Sequence, residues 1–195
     1  MSEPVPIYRS PLLMSAVDSA LLIMDVQEKL LPHVRGSRTI VWNIRRLLDA
    51  AGLLEVPVVA TVQYPQGLGA TVGELADRIP ACAEKLTFSC RACPELFAPL
   101  REQGRDKILV TGIEAHVCVQ QSVLDLLAAG FSPYVAVDAV GSRSEQDYRV
   151  ALRRMESSGA TLTTTEATLF ELCDQAGTDT FRQISQLVRE TPDGK

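Results

Sequence analysis

Short apolar runs rich in β-branched residues alternate along this chain with longer stretches whose apolar residues recur every three or four positions. Residues 21–24, 57–62, 108–110, 134–140 and 161–163 form the first kind and are predicted as strands; such runs suit a sheet covered on both faces. Residues 84–88 are predicted as a short edge strand carrying Lys85. Helices are predicted at 37–54, 94–103, 144–158, 167–173 and 180–188. In the first of these Ile40, Ile44, Leu47, Leu48 and Ala51 share one face, and Arg45, Arg46 and Asp49 take much of the other. In the helix at 144–158, Tyr148, Ala151, Leu152 and Met155 form the buried face. A further helix follows the strand at 108–110. It places Val119, Val123, Leu126, Leu127 and Gly130 on one side, turns Gln121 and Asp125 away, and uses Gly130 as its C-terminal signal. Residues 27–35 read as a loop or broken turn around Pro32, 63–73 as a loop with Pro65, Gly67, Gly69 and Gly73, and 74–78 as a helical turn stopped by Pro80. Residues 190–195 read as a frayed end.

Strands alternating with helices specify an α/β fold, a three-layer α/β/α arrangement around a mostly parallel sheet. Ligands in such folds bind at the carboxyl ends of the strands, where the strand order reverses. Asp25, Gln63, Lys85, residues 112–118 and Asp138 all fall at or near predicted strand ends. Cys118 sits near a helix start, among unpaired N–H groups and the positive end of the helix dipole, so its thiol is expected to ionise more easily than a free one. Periodicity does not decide which of these groups meet. Taken singly, the aspartate also fits a turn former, the lysine a solvated charge and the cysteine a core residue.

Composition narrows the partners. The 195 residues fit one domain, 1–195, with its core at about 19–188. A net charge of -5 without a cluster of Lys and Arg argues against nucleic acid and anionic membranes. No apolar run approaches the roughly 18 residues that span a bilayer. The proline-bearing start, with Pro4, Pro6 and Pro11, lacks a signal layout, which points to the cytoplasm. Five cysteines make an odd set and favour reduced thiols. Cys82 and Cys173 are expected to be buried. Cys90 and Cys93 form a C-x-x-C, readable as a redox pair or half a zinc site; chance spacing is favoured, because a zinc site needs about four ligands and only His33 and His116 are available.

Four segments, in this order, resemble the isochorismatase-like cysteine hydrolase superfamily: L-L-I-M-D-V-Q-E-K-L at 21–30, V-Q-Y-P-Q-G-L-G at 62–69, E-K-L-T-F-S at 84–89 and V-T-G-I-E-A-H-V-C-V at 110–119. The nearest likeness is to the isochorismatase-domain-containing branch, whose substrates are generally unassigned. The resemblance implies a six-stranded parallel sheet between helices and commonly a homo-oligomer. It also implies a catalytic triad of Asp25, Lys85 and Cys118. A cis peptide at Ile113–Glu114 and the backbone N–H groups of Glu114 and Cys118 would hold an oxyanion. Gln63 and Tyr64 are placed to line the substrate pocket.

The implied chemistry is hydrolysis of a small amide or related carbonyl compound through a thioester, without a cofactor. Departures from the superfamily sharpen this. Nicotinamidase-type relatives bind a metal through an Asp-x-His pair after the second strand. This chain has Q-Y-P there and no histidine between His33 and His116, so no metal is expected. True isochorismatases act on a vinyl ether without the cysteine, so Cys118 argues against isochorismate. His116 stands two residues from Cys118 and so points to another side of a helix, which suits a structural or rim role. The second reading is a catalytically silent member that binds a metabolite or acts as an interaction protein. A third is a thiol redox protein built on Cys90 and Cys93.

Overall fold

The computed structural model describes residues 6–192. Residues 193–195 of the expected frayed end lie outside that range. The strands are β1 (Ser19–Met24), β2 (Val58–Gln63), β3 (Ala83–Lys85), β4 (Lys107–Ile113), β5 (Ser132–Gly141) and β6 (Thr161–Thr163). All pair in parallel, in the order β3-β2-β1-β4-β5-β6. Eight α-helices accompany them among the described residues: α1 (Ser37–Leu53), α2 (Pro65–Leu68), α3 (Gly73–Ala76), α4 (Pro94–Glu102), α5 (Gln120–Ala128), α6 (Glu145–Ser157), α7 (Thr165–Cys173) and α8 (Asp179–Arg189).

The alternation of side chains along β1 divides the core into two layers. Leu21 and Ile23 pack with Ile44, Leu47, Leu169 and Ile184, under α1, α7 and α8. Ala20, Leu22 and Met24 face the other way, onto Phe97, Val123, Leu126 and Met155 of α4, α5 and α6. Every residue of β1 is buried, which is why the run reads as continuously apolar and not as alternating. The predicted edge position of the lysine-bearing strand is correct, with β3 shortened to three residues.

Three expectations change. Arg46 is buried, not part of the polar face of α1. α8 lies over it: its guanidinium stacks on Trp42 at 3.6 Å and donates to Asn43 Oδ1 at 2.5 Å and Leu187 O at 3.3 Å. Cys82 and Cys173 are partly exposed, not core. The loop at 63–73 contains the single-turn helix α2, begun by Pro65 at a position where its missing N–H costs nothing.

Candidate active site

The strand order reverses between β1 and β4, because the chain adds β2 and β3 on one side and then returns to add β4, β5 and β6 on the other. The ends of β1 and β4 therefore open side by side. Met24 is paired with Gly112 there. A Cβ at Gly112 would lie 2.1 Å from Met24 O, and φ is +112°. Only glycine permits this approach, and it brings Asp25, the residue after β1, beside the segment that carries Cys118.

Asp25 takes a left-handed turn (φ 55°), which aspartate tolerates better than most residues. The side chain is wholly buried. Both its oxygens are held: Thr61 Oγ1 donates to Oδ1 at 2.8 Å, and Lys85 Nζ donates to Oδ2 at 2.7 Å. Lys85 reaches across from the edge strand, a distance of about 10 Å for two strand spacings, which a lysine stem can cover and a shorter cation could not. β2 lies between, and its Gln63 supports the crossing: Lys85 Nζ also donates to Gln63 Oε1 at 2.8 Å and to Phe88 O at 3.0 Å. An ammonium group has three donors, so all three are used inside the protein. The Asp25–Lys85 pair has no side-chain exposure. Two charges removed from water are tolerable only with such full pairing.

Cys118 lies in a π-wound segment, Ala115–Val119, which runs directly into α5. π turns carry an extra residue per turn and recur at functional sites. The peptide Ile113–Glu114 is cis. Cys118 is 5% exposed, and the Asp25 carboxylate is near enough to act on its thiol. Burial pushes the thiol pKa up; the Asp25 charge adds to this, and Lys85 opposes it. The expectation of an easily ionised thiol at a helix start is therefore corrected. Desolvation and a neighbouring anion outweigh the helix dipole, and the resting thiol is neutral.

The remaining candidates separate. Gln63 is buried and committed to the scaffold: its Nε2 donates to Leu86 O at 2.8 Å, and its backbone N–H donates to Gln27 Oε1 at 2.8 Å. Tyr64 is half exposed, in a left-handed conformation (φ 39°), with its ring flat against Gly67, where a Cβ would meet Cε1 at 2.3 Å. Glu114 is buried and accepts from Arg143 N at 3.1 Å and Nε at 3.0 Å. Asp138 does not join the site. β5 runs on to Gly141, its register against β4 slips between Val110 and Gly112, and the Asp138 carboxylate accepts from Thr165 N at 2.8 Å and Thr165 Oγ1 at 3.0 Å at the start of α7. His116 shares a hydrogen bond with Ser142 Oγ at 3.0 Å, a structural partner. Cys90 and Cys93 are buried free thiols. Among the described residues no group of three or more His, Cys, Asp or Glu side chains is placed to hold a metal ion.

Periodicity missed Thr61 and Gln27. Thr61 sits within an apolar run and looks like an ordinary strand residue; its signal is only its register opposite Met24. Gln27 donates through Nε2 to Gln63 O at 3.0 Å and Gly69 O at 2.7 Å, tying the loop after β1 to the loop after β2.

A six-stranded parallel sheet in this strand order, with helices on both faces, is the fold of the isochorismatase-like hydrolases. The chain belongs to the isochorismatase family: residues 19–167 match the isochorismatase domain. It is 43% identical over 176 residues to isochorismatase domain-containing protein 2 of Bos taurus, covering 90% of this chain and 85% of that protein. A protein of Phytophthora sojae named secreted isochorismatase effector Isc1 is 37% identical, covering 88% of this chain and 85% of the effector. Among solved structures, the Caenorhabditis elegans protein described as MAR1 ribonuclease superposes with a TM-score of 0.84 at 36% identity, over 92% of this chain and 94% of that one.

Proposed function

We propose that the protein is a cysteine hydrolase acting on a small amide or related carbonyl compound, with Cys118 as nucleophile, Asp25 as general acid and base, and Lys85 as the group that orients the carboxylate. One observation carries the reading: a fully buried carboxylate, fixed at both oxygens, stands close enough to the Cys118 thiol to help keep its proton on. In such a pair the proton leaves the thiol as sulfur attacks, so no free thiolate need accumulate.

Cys118 Sγ attacks the carbonyl carbon while its proton passes to Asp25. The carbonyl oxygen becomes an oxyanion held by the N–H groups of Glu114 and Cys118. Asp25 then protonates the departing nitrogen, the C–N bond breaks, and a thioester remains on Cys118. Water attacks the thioester, giving its proton to Asp25. The carboxylic acid leaves, and the proton returns to the thiol. Because its donors are spent, Lys85 acts through Asp25 and not on the substrate. Gln63 holds Lys85, and the Tyr64 ring offers an apolar surface to the substrate. No step needs a cofactor or metal.

The Caenorhabditis elegans neighbour is named a ribonuclease. Here a chain charge of -5 and a site cation with no spare donor favour a small uncharged substrate over a polyanion. We further infer that the chain works as one domain in a homo-oligomer; its five free thiols suit the reducing cytoplasm. Among the described residues no helix is long and apolar enough to cross a membrane.

The test is a screen of amides, esters and oligoribonucleotides with wild type and Cys118→Ala, joined to mass spectrometry of the quenched enzyme. An acyl adduct on Cys118 and turnover that vanishes with the thiol are the expected results. Amide or ester turnover that survives in Cys118→Ala refutes the mechanism, and binding without turnover of any compound supports the silent-member reading instead.

A further inference from the structure

A cavity of about 370 Å³ opens between α4 and α5, and none of Asp25, Lys85 and Cys118 lines it. Its volume lies in the range of small-molecule sites, about 300–1,000 Å³. The walls are mostly apolar: Phe97, Leu126 and Phe131 with Pro94, Ala98 and Ala129. Phe97 and Phe131 pack ring against ring at 5.8 Å, which gives the interior a rigid aromatic side.

Charge at this cavity is unbalanced. Arg91, Arg101 and Asp125 also line it. The Arg101 guanidinium stacks over Phe131 at 4.2 Å and donates to Ala129 O at 2.6 Å. That fixes its plane against the wall and uses one of its five donors. Arg91 lies 3.6 Å from Asp125 Oδ2 and is mostly exposed, too far for a hydrogen bond. The same Asp125 oxygen already accepts from Ser89 Oγ at 2.6 Å. Arg91 and Asp125 form a loose, exposed ion pair at the rim, which leaves the Arg101 guanidinium as the cavity's uncompensated charge. An anionic head on an apolar body complements that arrangement, since a planar guanidinium matches a carboxylate through paired N–H donors.

We propose that this cavity is a second binding site, for a small carboxylate bearing an apolar chain or ring. It does not depend on the hydrolase reading. The experiment is calorimetric titration of the full chain with octanoate and with octanol, the neutral control. Octanoate is expected to bind saturably and octanol at least tenfold more weakly, given the worth of a charge-assisted hydrogen bond, about 1.5–3 kcal/mol. Arg101→Gln should weaken octanoate by about tenfold and leave octanol unchanged. Ala98→Trp, made at an exposed position, should fill the cavity and abolish both. Equal affinity for the two probes, no binding of octanoate, or binding untouched by both variants overturns the proposal. So does a change in sedimentation on Ala98→Trp, which would make this face a contact between copies of the chain.

Discussion

At the residue scale the site is an exercise in full pairing. Lys85 has three acceptors and Asp25 two donors, none of them water. Removing one charge strands the other in a dry interior. Lys85→Ala is therefore expected to lower stability by roughly 3–5 kcal/mol in urea denaturation, the cost of breaking a buried ion pair. Asp25→Asn loses the base and also leaves the Lys85 charge unpaired, so it should lower stability as well as lowering turnover of whichever amide the screen finds by about 10²–10⁴-fold. Cys90 gives a pH signature apart from the site. Burial pushes its thiol from 9.0 up to about 11. The folded state thus favours the proton more than the unfolded chain does. The resulting stability is full below pH 9 and is lost as pH rises toward 11, by roughly 2–3 kcal/mol at most. Denaturation from pH 8 to 11 should show a shallower alkaline loss for Cys90→Ala than for wild type. Asp25 and Lys85 stand at strand ends in the sequence, but nothing local announces that they touch. Their contact spans 60 positions and depends on the order of strands.

At the element scale, β1 and β4 decide where the thiol meets the carboxylate. Gly112 is the hinge of that arrangement, since any side chain there strikes Met24 O. Gly112→Ala should cost about 3 kcal/mol or more, through strain at a left-handed position and a backbone clash, and should show as a large fall in thermal midpoint. Asp138 looked like a site residue because it lies near the end of a predicted strand. The slipped register of β5 instead delivers it to the start of α7. Asp138→Ala is expected to cost about 1–2 kcal/mol as a lost helix cap, with turnover unchanged. An equal fall in turnover would place it in the site after all. The helix starts themselves were largely readable. The predicted bounds of α4, α7 and α8 differ from those observed by at most two residues; Pro94 opens α4, and the structure adds the hydroxyl caps Thr164 and Thr178 on α7 and α8.

For the whole molecule, the two apolar layers on either face of one sheet predict a single cooperative unfolding transition. Calorimetry with two resolved transitions would contradict the one-domain reading. Sedimentation should give a mass that is a multiple of the 21.2 kDa chain; a strictly monomeric protein at micromolar concentration would remove the homo-oligomer from the proposal.

The hydrophobic period alone determined the alternation of strands and helices, the parallel sheet and the end of the sheet at which to look, because burial on both faces and the 3.6-residue repeat are local properties. Motif order singled out Asp25, Lys85 and Cys118. Only the tertiary structure decided that Gln63 holds Lys85 in place, that Asp138 leaves for a helix cap, and that the Cys118 thiol rests protonated. Each of those depends on desolvation and on neighbours far away in the chain, which no window of sequence contains.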